Sequence, residues 1–122
     1  MFQRVNSYRA SRGLPVLSFD TLIARHAREH SVDMAAGRVP VGHDGRSERI
    51  RKIEKIIPVK RSAEVVALVS GYSDPIEIAL DGWIQSQGHR EAMESEATLT
   101  GVGIAVDDTN YYITQIFVLE RI

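Results

Sequence analysis

The fold is decided by the C-terminal stretch GVGIAVDDTNYYITQIFVL, which covers residues 101–119. Its first part alternates small and bulky side chains in the order Gly101, Val102, Gly103, Ile104, Ala105 and Val106. A polar connection over residues 107–110 follows, and residues 111–119 return as a second apolar segment. This alternation around a polar turn predicts a β-hairpin. One face of its first strand carries almost no bulk, so we expect a helix or another backbone to approach closely there.

Three helices are predicted upstream of residue 60. The first runs from the start of the chain to Ser11 or Arg12 and is stopped by Gly13 and Pro15. The second begins at Ser18 or Asp20 and ends at Gly37, and a loop rich in Gly and Pro covers residues 38–46. A short basic helix then occupies about residues 47–56.

A buried strand and a further helix lie between these helices and the hairpin. Residues 62–69 form a nearly unbroken apolar run with one carboxylate, which favours an interior strand and leaves a helix open. Asp74, Pro75 and Glu77 are typical of the N-cap, N1 and N3 positions of a helix. Gly88 is predicted to end that helix in a left-handed conformation, with His89 just beyond the helix end.

This order of elements predicts a single α+β domain over residues 1–122, with helices packed on a mainly antiparallel sheet. The chain has 122 residues, of which 43% are hydrophobic, and that is enough for one core. There is no cysteine, which excludes disulfides, thiolate metal sites and a cysteine nucleophile. No apolar stretch is long enough to span a bilayer. The chain opens without a signal peptide, and amphipathic spacing begins at once with Phe2, Val5 and Tyr8, so we expect the chain to be a fragment.

The charge distribution excludes a general attraction to nucleic acid, but one basic segment has two possible interpretations. The net charge is −1, yet residues 46–62 carry seven basic residues against two acidic ones. The simpler interpretation is a solvated helix face. The alternative is a polyanion contact through Arg49, Arg51 and Lys52.

Three residues in separate segments carry the chemistry that points to a functional site. His43 and His89 each follow a glycine, where a side chain can be aimed into a cleft. Glu64 lies in the apolar run, so burial would require it to be protonated or paired with a cation, an imidazolium or a metal. If the three lie together, Glu64 would orient one imidazole and complete a metal or proton-transfer site. The alternative places Glu64 on the solvent side of its strand.

Two other groups of residues are better interpreted as structural than as metal-binding or catalytic. His26 and His30 are four apart on one helix, a spacing that allows a shared metal, but His30 falls on the apolar stripe. We therefore interpret the two histidines as a structural pair. Ser86 could be combined with His89 and Glu64 into a catalytic triad, but it lacks a strained elbow and an oxyanion hole.

Taken in order, the segments resemble the bacterial branch of the CAP superfamily, which comprises the cysteine-rich secretory, antigen-5 and pathogenesis-related proteins. The resemblance covers nearly the whole chain. The most specific set is GWIQSQGHR at 82–90, followed by GVG at 101–103 and a strand containing Thr114-Gln115. The other matching segments are NSYR at 6–9, GLPVL at 13–17, HSVDMA at 30–35, GHDG at 42–45 and AEVVA at 63–67.

The resemblance implies a three-layer α-β-α sandwich with a central cleft, and it implies an extracellular or surface-attached protein. Two histidines and two acids commonly converge in that cleft and bind a divalent metal. By motif match, His43 and His89 are the histidines and the metal ligands, and Glu64 is the first acid. Ser86 stands where the second acid is usual, and Val65 replaces an asparagine after Glu64.

These residues support two hypotheses about function. The first is a non-catalytic binding module whose cleft of His43, Glu64, Ser86 and His89 holds a divalent cation such as zinc, or a small or lipidic ligand. The second is a metal-dependent, protease-like hydrolase in which Glu64 is the general base. The absence of a convincing nucleophile favours binding over turnover.

Overall fold

The computed structural model describes residues 1–121 and contains five helices and four strands in that range. In chain order they are α1 (Phe2–Ser11), β1 (Ser18–Phe19), α2 (Thr21–Ala35), α3 (Arg46–Glu54), β2 (Val59–Ser70), α4 (Pro75–Gln85), α5 (Gln87–Met93), β3 (Leu99–Asp107) and β4 (Asn110–Glu120). The hairpin, the strand around Glu64 and the helix starts at Asp20 and Asp74 are confirmed. Both aspartates cap their helices, since Asp20 accepts from the Ile23 amide and Asp74 from the Glu77 amide.

The four strands form one sheet in the order β1-β3-β4-β2. Strand β4 pairs antiparallel with both β2 and β3, whereas the two-residue β1 runs parallel to β3. The sheet is therefore mixed and mainly antiparallel. The sequence did not predict β1, because Ser18 and Phe19 are held only by long-range pairing with Leu99 and Thr100. Strand β2 lies at the edge of the sheet, so the prediction of an interior strand over residues 62–69 is wrong in position. The run is apolar because helices α4 and α5 pack on it, and not because strands flank it on both sides.

Helices cover both faces of the sheet and make a three-layer α-β-α sandwich. On one face, α2 and α3 bury a cluster against β4, formed by Ile23, Ala27, Ile53, Ile57, Ile116 and Val118. On the other face, α1, α4 and α5 pack on a larger cluster that includes Val5, Val65, Trp83, Met93, Ile113 and Phe117. The alternation of side chains along β4 sends neighbouring residues into these two clusters.

The small residues of β3 allow the close approach that the sequence predicted. A Cβ added to Gly101 would lie 2.1 Å from the backbone nitrogen of Ala24, and one added to Gly103 would lie 2.1 Å from that of Arg28. Helix α2 therefore rests directly on the backbone of β3, in a position that only glycine permits.

The prediction for Gly88 is wrong. Helix α4 ends at Gln85, Ser86 is extended with φ −101° and ψ 122°, and Gly88 lies inside α5 without a positive φ. Because the break occurs at Ser86, His89 lies beyond the end of α4, as expected, but in the first turn of a new helix. Within residues 1–121, none of the helices has the length and apolar character needed to cross a membrane.

Candidate functional site

A cleft of about 530 Å³ lies at the open edge of β2, where the two helical layers meet. It is lined by His43, Arg46, Ala63, Glu64, Gly88, Glu91, Ala92 and Ser95. His43 comes from the loop before α3, on one side of the sheet, and His89 comes from α5 on the other. His89 is not one of the residues that line the cleft, but Gly88, immediately before it on α5, lines the cleft together with His43.

His43 and Glu64 form the contact that the sequence predicted for one imidazole. The Nδ1 atom of His43 lies 2.9 Å from Oε1 of Glu64. The Glu64 side chain is 0% exposed, whereas 47% of the His43 side chain is exposed. A buried carboxylate thus holds an imidazole whose outer edge faces solvent, an arrangement typical of histidines that are oriented for binding.

Glu64 is also held by a residue to which the sequence assigned no part in the site. Arg49 donates from Nε to Oε2 at 2.9 Å and from Nη2 to Oε1 at 2.7 Å, which makes a bidentate ion pair. This contact resolves the two alternatives for Glu64: it is buried and paired with a cation. Because a buried carboxylate needs a compensating cation, the sequence could have indicated that a basic residue pairs with Glu64. It could not indicate which one, since several basic residues lie near Glu64 in the chain.

The ion pair also corrects the interpretation of the basic segment. The Arg49 side chain is only 12% exposed and is engaged inside the protein, so it is not part of an exposed basic surface. Arg51, by contrast, is 68% exposed and pairs with Glu48 at 3.1 Å on the helix surface. The set of Arg49, Arg51 and Lys52 therefore does not form one polyanion-binding strip.

His89 and Ser86, on either side of the cleft-lining Gly88 in the chain, form a second polar pair. Nδ1 of His89 lies 2.8 Å from Oγ of Ser86. Burial lowers the pKa of His89, and the neighbouring His43 lowers it further. The hydroxyl contacts the imidazole at Nδ1, three residues along the chain, and so gives local support for His89.

His26 and His30 are both buried, and their contacts are separate. His30 places Nε2 at 2.7 Å from the Gly42 carbonyl and Nδ1 at 3.0 Å from Nη1 of Arg49. His26 lies 3.7 Å from Glu29. These contacts support the structural interpretation of the pair. Among residues 1–121, no group of three or more histidine or acidic side chains is arranged to hold a metal ion.

The sequence of this chain matches the family model of the cysteine-rich secretory protein family, CAP, over residues 2–119. The chain therefore belongs to the CAP family. The resemblance noted from its motifs is thus confirmed over almost its whole length.

Solved structures agree with this membership. An outer surface protein from Borrelia burgdorferi superposes with a TM-score of 0.81 at 18% identity, over 98% of this chain and 90% of that one. An extracellular protein containing an SCP domain from Bacillus anthracis has a TM-score of 0.73 at 31% identity, over 96% of this chain. The match spans only 38% of the Bacillus protein.

A more distant structure is also similar. NaASP2, solved with Zn2+, has a TM-score of 0.58 at 13% identity, over 84% of this chain and 59% of that one. At this identity the likeness shows the fold alone. A comparison with curated protein sequences gives no significant match.

Proposed function

We propose that this chain is a non-catalytic, extracellular binding module whose cleft binds a divalent cation, such as zinc, through His43 and His89. The observation that carries the proposal is the 2.9 Å contact of His43 Nδ1 with a fully buried Glu64. A carboxylate accepts only, so Nδ1 carries the proton and Nε2 of a neutral His43 keeps its lone pair. The names of two neighbours, an outer surface protein and an extracellular protein, support the location.

The donor set fits an open site. Imidazole nitrogen is a common ligand of zinc, and an orienting carboxylate behind a histidine is a common support for such a ligand. His43 and His89 would hold the ion and Ser86 would support His89, while a bound small or lipidic ligand or water would complete the coordination. A cation held there would act as a Lewis acid toward an oxygen or nitrogen of that ligand. Two protein ligands are fewer than structural and catalytic zinc sites use, so we expect weak binding.

The surroundings of Glu64 favour binding over hydrolysis. A general base must reach a water molecule and accept its proton. Oε1 of Glu64 already accepts bonds from His43 and Arg49, Oε2 accepts from Arg49, and the side chain is 0% exposed. Glu64 is therefore placed to orient His43 and is poorly placed to activate water in the cleft.

Zinc titration by calorimetry tests this proposal. We expect the wild type to bind one zinc ion, and His43→Ala and His89→Ala to lose that heat. The matched control is His26→Gln, because His26 lies on α2 and its ion-pair partner is Glu29, not a residue of the proposed site. The control should bind zinc as the wild type does.

Three results would contradict the proposal. Absence of zinc binding by the wild type would remove the metal site, and zinc binding that survives both cleft substitutions would place it elsewhere. Loss of a peptide-cleaving activity on Glu64→Gln would establish the hydrolase in place of the binding module. Displacement of a fluorescent fatty acid, measured with and without zinc, distinguishes a lipidic ligand from a small polar one.

A further inference from the structure

Arg49 uses its whole guanidinium group to join three segments around the cleft. Its five N–H groups meet five acceptors: Oε1 and Oε2 of Glu64, the carbonyls of His43 and Asp44, and Nδ1 of His30. The distances run from 2.7 Å, to the Asp44 carbonyl, to 3.4 Å, to the His43 carbonyl. Strand β2, the loop that carries His43, and helix α2 thus converge on one side chain.

The contact with His30 determines the tautomer of that histidine. A guanidinium group donates and cannot accept, so Nδ1 of a neutral His30 must hold the lone pair. Its Nε2 atom then carries the proton, and it donates to the Gly42 carbonyl at 2.7 Å. His30 therefore holds the loop at the residue immediately before His43.

Arg49 also positions His43 through Glu64, because both residues bind the Glu64 carboxylate. Arg49 compensates the buried negative charge, so that Glu64 stays an acceptor, and it fixes the direction of both carboxylate oxygens. His43 then donates from Nδ1 to Oε1, and its Nε2 is left free. Arg49 also holds the backbone carbonyl of His43 itself.

We propose that Arg49 is a positioning residue that sets the opposite tautomers of His30 and His43 and thereby presents Nε2 of His43 to the cleft. This inference rests on the proposed function, because the presented nitrogen is the one offered to the cation. Lysine cannot replace Arg49, since one ammonium group has three donors on a single atom and cannot reach acceptors spread over three segments.

Nitrogen NMR of the ¹⁵N-histidine-labelled protein, without metal at pH 8, tests the tautomers directly. In the wild type we expect His43 protonated at Nδ1 and His30 protonated at Nε2. In Arg49→Met and Arg49→Lys we expect both histidines to become mixtures of tautomers. The matched control is Arg51→Met, which removes an exposed arginine of the same helix that is bound to Glu48. It should leave both tautomers unchanged.

Zinc affinity gives the second measurement. Loss of a group that supports a metal ligand typically weakens binding about 10-fold to 100-fold, so we expect Arg49→Lys to bind zinc at least about 10-fold more weakly than Arg51→Met. If Arg49→Met does not fold, Arg49→Lys and the wild-type spectrum still decide the question. A wild-type His30 protonated at Nδ1, or folded Arg49 variants with unchanged tautomers, would overturn the inference.

The two proposals fail separately. The tautomers are measured in the metal-free protein, so a wild type that binds no zinc but shows the expected tautomers contradicts only the cation site. A wild type that binds zinc with tautomers independent of Arg49 contradicts only the positioning role.

Discussion

The backbone of Gly103 lies against the backbone of Arg28, so closely that a Cβ on Gly103 would be 2.1 Å from the Arg28 nitrogen. No side-chain rotation can relieve such a contact, because the obstacle is the main chain of α2. The same helix carries His30, which holds the loop before His43. The position of α2 on the sheet is therefore linked to the geometry of the cleft.

We predict that Gly103→Ala lowers the free energy of unfolding by about 3 kcal/mol, because overpacking against a backbone forces the helix off the sheet. Urea denaturation measures the change. Gly82→Ala is the matched control: Gly82 lies in α4, and a Cβ added there meets nothing within 4 Å. That control should gain about 0.8 kcal/mol from the better helix propensity of alanine. Equal stability of the two variants would be inconsistent with the close approach.

The ion pair between Arg49 and Glu64 should show strong coupling in a double-mutant cycle. Arg49→Met and Glu64→Leu each leave a charge in a buried position, and each should cost about 3 kcal/mol. The double substitution leaves no unpaired charge, so it should cost less than the sum by about 2 kcal/mol. The measurement is urea unfolding of the four proteins, and strict additivity would argue against direct pairing.

Buried Arg9 should contribute strongly to stability. It is 1% exposed and donates to the carbonyls of Pro15, Met93 and Ser95, at 2.8 to 2.9 Å. Arg9→Met should cost about 3 kcal/mol, because three acceptors lose a charged donor. Arg12→Met is the comparison, since Arg12 lies on the surface beside Tyr8 and should change stability by less than about 0.5 kcal/mol. Chemical denaturation separates the two, and similar losses would contradict this role of Arg9.

His26 should make stability depend on pH. Burial lowers its pKa below the ordinary 6.5, assisted by the positive charges of Arg25, Lys52 and Arg49 and opposed by Glu29. The unfolded chain therefore takes up its proton first as pH falls, so the contribution is complete above 6.5 and is lost below it. We expect the wild type to lose stability between pH 7.5 and 5.0, and His26→Gln to lose less. An identical loss in both proteins would contradict the prediction.

Local patterns made much of the fold predictable. Alternation in residues 101–119 and the capping aspartates at 20 and 74 act through neighbouring atoms, so the corresponding elements follow from the residues themselves. Strand β1 did not follow, because a two-residue strand exists only through its pairing with β3. The break between α4 and α5 was also misplaced, because Gly88 resembled a helix terminator whereas the extended residue is Ser86.

For the candidate site, local patterns in the chain were enough to single out three residues: His43 and His89 beside their glycines, and Glu64 in an apolar run. The same patterns predicted that Glu64, once buried, would be protonated or paired with a cation, an imidazolium or a metal. The identity of that partner follows only from the folded chain, in which Arg49, 15 residues earlier than Glu64, binds both Glu64 and His30. The reason is physical: a buried charge demands compensation from any nearby cation, and which cation is near is set by how α3 packs against the edge of the sheet.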